Sequence, residues 1–488
     1  VAAQGVRVTL EYGDGAMDVD LPPGTVVVEP GSLYRDPEPT EDPLVLTRRA
    51  LERPLGLPPL RKLVGPGAKV VIAFPDRVKG GAHATAHRRI TVPLLLEELD
   101  AAGVRSQDVT LLCAVGLHRK NTRAEMEELL GPQVVHRVPR LRLVNHDAED
   151  PEGMVRLGET EDGDVVEVNR LVLEADLAVV LGHTLGNPYG GYSGGYKMPC
   201  TGLVGWRSIR CHHTPATLYR QDFVPVSPHS RFRAQLRRIG EAIESAMKHP
   251  FFAVDAVLNG QNQQLAVFAG RLADVEAATW PLAGQRTEVR IPGEPADVLL
   301  LGIPRTFHYG PGMGTNPLLF KQAIGASLAR AWGALKPYPV VVAACVCDGW
   351  FNDEWFPAYR QIYDLLQRCH APEELVRYED EVCTDPKWVR RYRYGYAYHP
   401  FHGFSMAYLG GLADRYARAV YVVGAREPGI ARGVGCIPVK SVEEALRHAR
   451  RHVGESPKIL VVPQLSRVQV HLYAEVGGGA QASARAAG

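Results

Sequence analysis

No apolar run in this 488-residue chain approaches the roughly 20 residues a helix needs to span a bilayer. An excess of one charge is also missing: 55 Lys and Arg stand against 54 Asp and Glu, a formal net charge of +1. That balance leaves no electrostatic footprint for a nucleic acid, and neither nucleic acid nor membrane is expected as a partner. The opening VAAQGVRVTLEYGDG lacks a basic stretch followed by an apolar one, so it reads as strand and turn, not as a signal peptide. The eight cysteines form no CxxC pair. Cys345 and Cys347, two apart in an apolar run, share one face of a strand. Such thiols are expected to be buried and reduced, in a cytoplasmic protein. What is present is ordinary: 45% hydrophobic and 22% charged residues permit a large core and exclude global disorder. This length predicts two or three domains.

Residues 7–28 alternate around Tyr12-Gly13-Asp14-Gly15, which predicts a β-hairpin. A strand–helix rhythm follows, with strands at Lys69–Phe74, Asp108–Val115, Leu141–Val144 and Asp176–Leu181 and helices at Thr91–Ala102 and Thr122–Leu130. A second rhythm has strands at Ala296–Leu301, Val340–Val346, Ala419–Val423 and Lys458–Val462. Its helices are Pro317–Trp332, two stretches near 354–368 and 384–416, and Ser441–His452. Alternation of this kind implies α/β architecture with mainly parallel sheets. Gln285–Pro295, polar with two prolines, marks the boundary between two α/β domains, 1–290 and 291–465. A C-terminal strand is expected at 466–476, and the low-complexity end 477–488 as a flexible tail.

The densest punctuation is GHTLGNPYGGYSGGYKMPCTG, residues 182–202, directly after a predicted strand. Glycines at a strand exit let backbone N–H groups converge on an anion, and a lysine among them can be a cation, a base or a covalent anchor. The Walker A and GxGxxG patterns both fail here. Three other strand exits carry Pro75-Asp76-Arg77, Gly116-Leu117-His118-Arg119 and Asn145-His146-Asp147. Four polar exits point to a shared site on the carboxyl edge of a parallel sheet.

This set resembles the nickel-pincer lactate racemase family of 2-hydroxyacid racemases and epimerases. The family pattern runs Asp-x-Thr-Arg, Gly-x-His-Arg, Asn-His-Asp, Pro-His, Ala-Gly-x-Ser-Gly-Gly-x-Lys and a later Asn-His. Gly116–Arg119, Asn145–Asp147 and Gly191–Lys197 match, and the register from Lys197 runs without a gap through Gly202, Ser208 and Ile209 to His213. The resemblance implies two α/β domains with the active site in an interdomain cleft, the first anchoring a cofactor and the second closing over substrate. It implies a nickel-pincer nucleotide, pyridinium-3,5-bisthiocarboxylic acid mononucleotide nickel, attached covalently to Lys197. His213 would ligate the nickel, and Ser193, Gly194, Gly195 and Asp76 would hold the nucleotide. His118 would be a base and Arg77 the carboxylate clamp. Partners would be a small-molecule hydroxyacid and the enzymes that make the cofactor; a homo-oligomer stays open. The chemistry is coherent: taking the Cα hydrogen as hydride, with a base on the hydroxyl proton, avoids building a carbanion beside a carboxylate.

Departures from the pattern point to an altered substrate. Ten residues before Lys197, where the family has its second histidine base, stands Asn187, and an amide is no base near neutral pH. His183 is the substitute considered, with Tyr189 a weaker one. Phe74 takes the first motif's aspartate position, and Lys79–Arg89 reads as an inserted loop. Lys321, Trp350 and the neighbouring aromatics are further substrate-side candidates; Tyr398-His399-Pro400-Phe401-His402-Gly403 has no assigned role. Two other classes stay open: a zinc hydrolase or lyase built on His118, His146, His183 and His213, and a non-catalytic binder of cofactor or hydroxyacid.

Overall fold

The computed structural model describes residues 5–139, 142–465 and 467–475. Near-continuous apolar runs build two mainly parallel sheets covered on both faces, as such runs require. The first has six strands in the order Gln264–Arg271, Phe252–Leu258, Leu177–Thr184, Val70–Pro75, Val109–Ala114 and Leu143–Asn145. Only its first pair is antiparallel. The second is centred on Ala296–Pro304, whose side chains are buried from Ala296 to Ile303. Leu335–Ala344, Ala419–Val423 and Ile437–Val439 follow on one side, all parallel. Ile459–Val462 pairs on the other side of the central strand. The predicted hairpin is present as Val6–Gly13 and Gly15–Leu21, and it joins this second sheet, with Tyr12 opposite Ile303. The chain thus starts in the second sheet, builds the first and returns.

Several boundaries differ from expectation. Only the last three residues of the supposed insertion, His87 to Arg89, are helical, because the helix begins at His87 and runs to Ala101. The stretch 384–416 divides into Pro386–Tyr394 and Pro400–Tyr416. Gly395 ends the first, and His399 caps the second with Pro400 at its first position, where the absent N–H costs nothing. The polar segment 285–295 holds the end of the helix Leu272–Thr287 and a strand, Glu288–Pro292, paired with His471–Glu475. Residues 477–488 lie outside the described residues. Cys345 and Cys347 are buried, as expected. Among the described residues no helix is long and apolar enough to cross a membrane.

Pro317–Ala331 and Pro400–Tyr416 pack as a buried pair. They approach so closely that a Cβ on Gly325 would sit 2.1 Å from the Leu409 carbonyl oxygen.

Candidate active site

The four parallel strands ending at Pro75, Ala114, Asn145 and Thr184 deliver their exits to one edge. Gly116 makes the turn after the second of them with φ +52°, and a Cβ there would lie 2.1 Å from the Thr201 carbonyl oxygen. Only glycine fits a left-handed residue pressed on the helix Lys197–Gly202. Two residues on, His118 meets Asp76, with 2.7 Å between Nδ1 and Oδ2. Asp76 is 2% exposed. Burial works against its carboxylate, yet the charges of His118, Lys79 and Arg88 and the bond to His118 hold it below its ordinary value. A carboxylate only accepts, so His118 carries its proton on Nδ1 and its lone pair on Nε2. The rings of Tyr309, Tyr398 and His402 each stand 5.5 Å from the His118 ring.

The glycine-rich loop is braced from within. Gly194 and Gly195 take φ of 71° and 54°. The Gly195 N–H donates to Asp255 at 2.8 Å and the Tyr196 N–H to Glu276 at 2.8 Å. Glu276 is also paired with the buried Arg233. Ser193 Oγ donates to the His183 carbonyl at 2.9 Å. These contacts of Ser193, Gly195 and Tyr196 shape the loop that presents Lys197. Lys197 Nζ donates to Asn187 Oδ1 at 3.3 Å and lies over the rings of Tyr189 and Phe232 at 5.0 and 5.2 Å. Burial, with the charges of Lys79 and Arg233, pushes its ammonium well below the usual lysine range. An amine whose charged form burial disfavours, set in an aromatic niche, has the chemistry a covalent anchor needs.

His213 lies 5.1 Å from the Tyr189 ring. Its Nδ1 is 2.8 Å from His212 Nδ1, and His212 Nε2 is 3.2 Å from the Cys200 carbonyl oxygen. The carbonyl can only accept, so His212 carries its proton on Nε2. Its Nδ1 then accepts from His213 Nδ1–H, and the His213 lone pair falls on Nε2. Burial pushes both rings below the usual histidine range, His212 to about 3, so both are neutral. A neutral imidazole with one nitrogen held and the other free is what a nickel site asks of a histidine. Lys197 and His213 therefore fit the implied group.

Lys79 ties these parts together. Its charge bears on Asp76, His183, Lys197, His308 and His402. Its ammonium donates to His308 Nε2 at 3.2 Å, and burial lowers it to about 8. Arg88, 2% exposed, fixes the loop below it by donating to the carbonyls of Pro75, Asp76, Lys79 and Gly81. His183 is half-buried and lowered to about 3 by burial, with Lys79 and Arg88 adding.

Other expected residues lie elsewhere. Arg77 is turned outward, 3.5 Å from Glu125 and over the Trp355 ring, because its neighbour Asp76 takes the inward position. Lys321 is buried against Asp414 at 2.6 Å and beside Cys436. Trp350, 44% exposed, lies over Gly312 at the base of the hairpin that carries Tyr309. His146 spends both ring nitrogens on Val204 O and Asn169. Among the described residues no group of three or more His, Cys, Asp or Glu is placed to hold a metal, so the four histidines of the zinc reading do not converge. Lys79, Tyr309 and His402 were missed. Shifting the first motif by two residues, to Asp76-Arg77-Val78-Lys79, sets a carboxylate and a cation on the pattern's Asp and Arg positions and would have found Lys79.

Sheet order and site together define an α/β protein that carries a carboxylate-held histidine and a lysine and histidine sharing the Tyr189 ring. Residues 12–222 match the family described as the lactate racemase N-terminal domain. Lactate racemase of Thermoanaerobacterium thermosaccharolyticum is 24% identical over 470 residues, 94% of this chain and 97% of that protein. Lactate racemase of Lactiplantibacillus plantarum is 26% identical over 166 residues, 34% of this chain and 37% of that protein. The solved lactate racemase apoprotein of T. thermosaccharolyticum has a TM-score of 0.69 at 21% identity, covering 96% of this chain and 100% of that one. A Thermotoga maritima protein has a TM-score of 0.55 at 14% identity, covering 91% and 100%. Over residues 12–222 the chain is thus similar to the lactate racemase N-terminal domain, and over 94% of its length to a lactate racemase.

Proposed function

We propose that this protein is a racemase or epimerase of a 2-hydroxyacid, lactate racemase-like with an altered substrate, that carries a nickel-pincer nucleotide on Lys197. When bound, that group supplies a reversible acceptor for the Cα hydrogen as hydride. Lys197 offers a neutral amine for the covalent link, and His213 offers Nε2 to the nickel. Enzymes that make the nucleotide would be the partners in loading. His118 Nε2 takes the hydroxyl proton of the substrate, with Asp76 stabilising the imidazolium that forms. Lys79, in place of Arg77, holds the substrate carboxylate. It does so as a point charge without the planar fork of an arginine, which fits a different choice of hydroxyacid.

The observation that carries this reading is the His118–Asp76 pair standing with Lys79 beside Lys197. Intact mass, peptide mapping and nickel analysis after co-expression with cofactor-making enzymes test it. The expected result is a nickel-containing nucleotide adduct on Lys197, lost in Lys197→Ala. An unmodified Lys197, under conditions that load a lactate racemase, overturns the reading. A loaded protein that forms no 2-keto acid from any hydroxyacid is a binder instead.

A further inference from the structure

Inverting an alcohol at a centre whose carboxylate is pinned places the hydroxyl on opposite sides in the two enantiomers. Microscopic reversibility then calls for a proton acceptor on each side. His118 serves one. The Asn187 amide oxygen is occupied by Lys197 Nζ and by the Tyr189 N–H. We propose that His402 is the second base, an inference that rests on the hydroxyacid reading above.

His402 is 3% exposed, and its Nδ1 lies 2.5 Å from the Tyr359 hydroxyl. Its Nε2 is buried and has no hydrogen-bond partner among the described residues. Native interiors rarely tolerate an orphaned buried nitrogen unless something else takes it up. The ring stands edge-on to His118 at 80°, with Tyr309 at 4.8 Å and Tyr398 at 4.7 Å closing the sides. One turn along the same helix, Met406 Sδ meets the Tyr189 hydroxyl at 3.9 Å, and Tyr189 is the ring beside Lys197 and His213. The helix therefore spans the distance from the base to the anchor. The Tyr359 hydroxyl can accept from Nδ1–H as well as donate to Nδ1, unlike the acceptor-only Asp76 at His118; in the tautomer in which it accepts, Nε2 holds the lone pair that the proposed role uses. The two rings touch edge to face at 5.5 Å, so a hydroxyacid parts them or lies across both, and there it meets one imidazole from the first sheet and one from the helix covering the second. The step at His402 is a proton transfer alone: the O–H bond breaks, N–H forms at Nε2, and the reverse occurs when the alcohol is rebuilt.

The test quenches single turnovers of the loaded protein with each enantiomer of lactate, malate and 2-hydroxyglutarate and measures 2-keto acid. Wild type is expected to oxidise both enantiomers of its substrate, His402→Gln only one and His118→Gln only the other. Net racemisation should fall at least 100-fold in each, with nickel content unchanged. In unloaded protein labelled with 15N-histidine, the same acids should move the His402 Nε2 signal. Tyr359→Phe, which keeps the ring in place, should slow the same enantiomer as His402→Gln and covers a failure of the latter to fold. Oxidation of both enantiomers by His402→Gln, with His402 signals unmoved, overturns the inference and leaves the reading intact. No 2-keto acid from wild type, with no histidine signal moved, overturns both.

Discussion

The Asp76 carboxylate decides which nitrogen of His118 is basic, and its removal should be felt in turnover rather than in loading. Asp76→Asn lets the amide donate as well as accept and frees the ring to take the wrong tautomer. Racemisation is expected to fall by roughly 10²–10⁴-fold, the usual worth of a positioned base. Nickel content should stay at the wild-type level, and both are read from one loaded preparation. The relay through His212 predicts the opposite pattern. His212→Leu removes the acceptor that fixes His213, so retained nickel should drop by about 10–100-fold, measured by metal analysis after dialysis. Of these residues the sequence shows His118, Lys197 and His213 because each stands in a local motif. His402 and Lys79 were not legible. The first is brought in by a helix on the other sheet, and the second stands two residues beyond Arg77, the cation that the motif register picks out.

The elements around the site are held by few and specific devices. The loop after Val70–Pro75 has no secondary structure of its own; the buried Arg88 guanidinium gathers its carbonyls. Arg88→Met fills similar space but strands those acceptors. It should cost about 3 kcal/mol, at the upper end for bonds to a charged donor, read as a lower urea midpoint. Lys79 would be displaced with the loop. Gly116→Ala combines a left-handed φ with a clash against the Thr201 carbonyl. It should push the Lys197 helix away, lowering both expression and adduct yield on Lys197. Strand positions were legible because parallel strands buried on both faces are continuous apolar text. Helix limits near residues 87 and 400 were not, since the first has no side-chain cap and the second is capped by a histidine in place of Ser, Thr, Asp or Asn.

Across the whole molecule, stability should decline on mild acidification. His87 and His146 are pushed down to about 4 by burial. Between pH 6.5 and 4 the unfolded chain takes up protons that these folded rings refuse. The stability they contribute is thus complete above 6.5 and lost as pH falls, on the order of 3 kcal/mol each. Asp255, pushed up to about 6 by burial, works the other way from pH 6 down to about 4 and offsets part of the loss. Urea midpoints from pH 7 to 4.5 should therefore fall; a rising or flat profile contradicts the balance. Two α/β rhythms were legible from the sequence, but not that the opening hairpin belongs to the later sheet. That membership reaches into synthesis. Tyr12 leaves the ribosome long before its partner Ile303 exists, and at about 5–20 residues per second the interval is roughly 15–60 s. Through that time Val8, Leu10 and Val19, which are buried in the finished protein, wait without cover. A nascent chain stalled near residue 290 would show them to any chaperone that recognises an unpaired apolar strand.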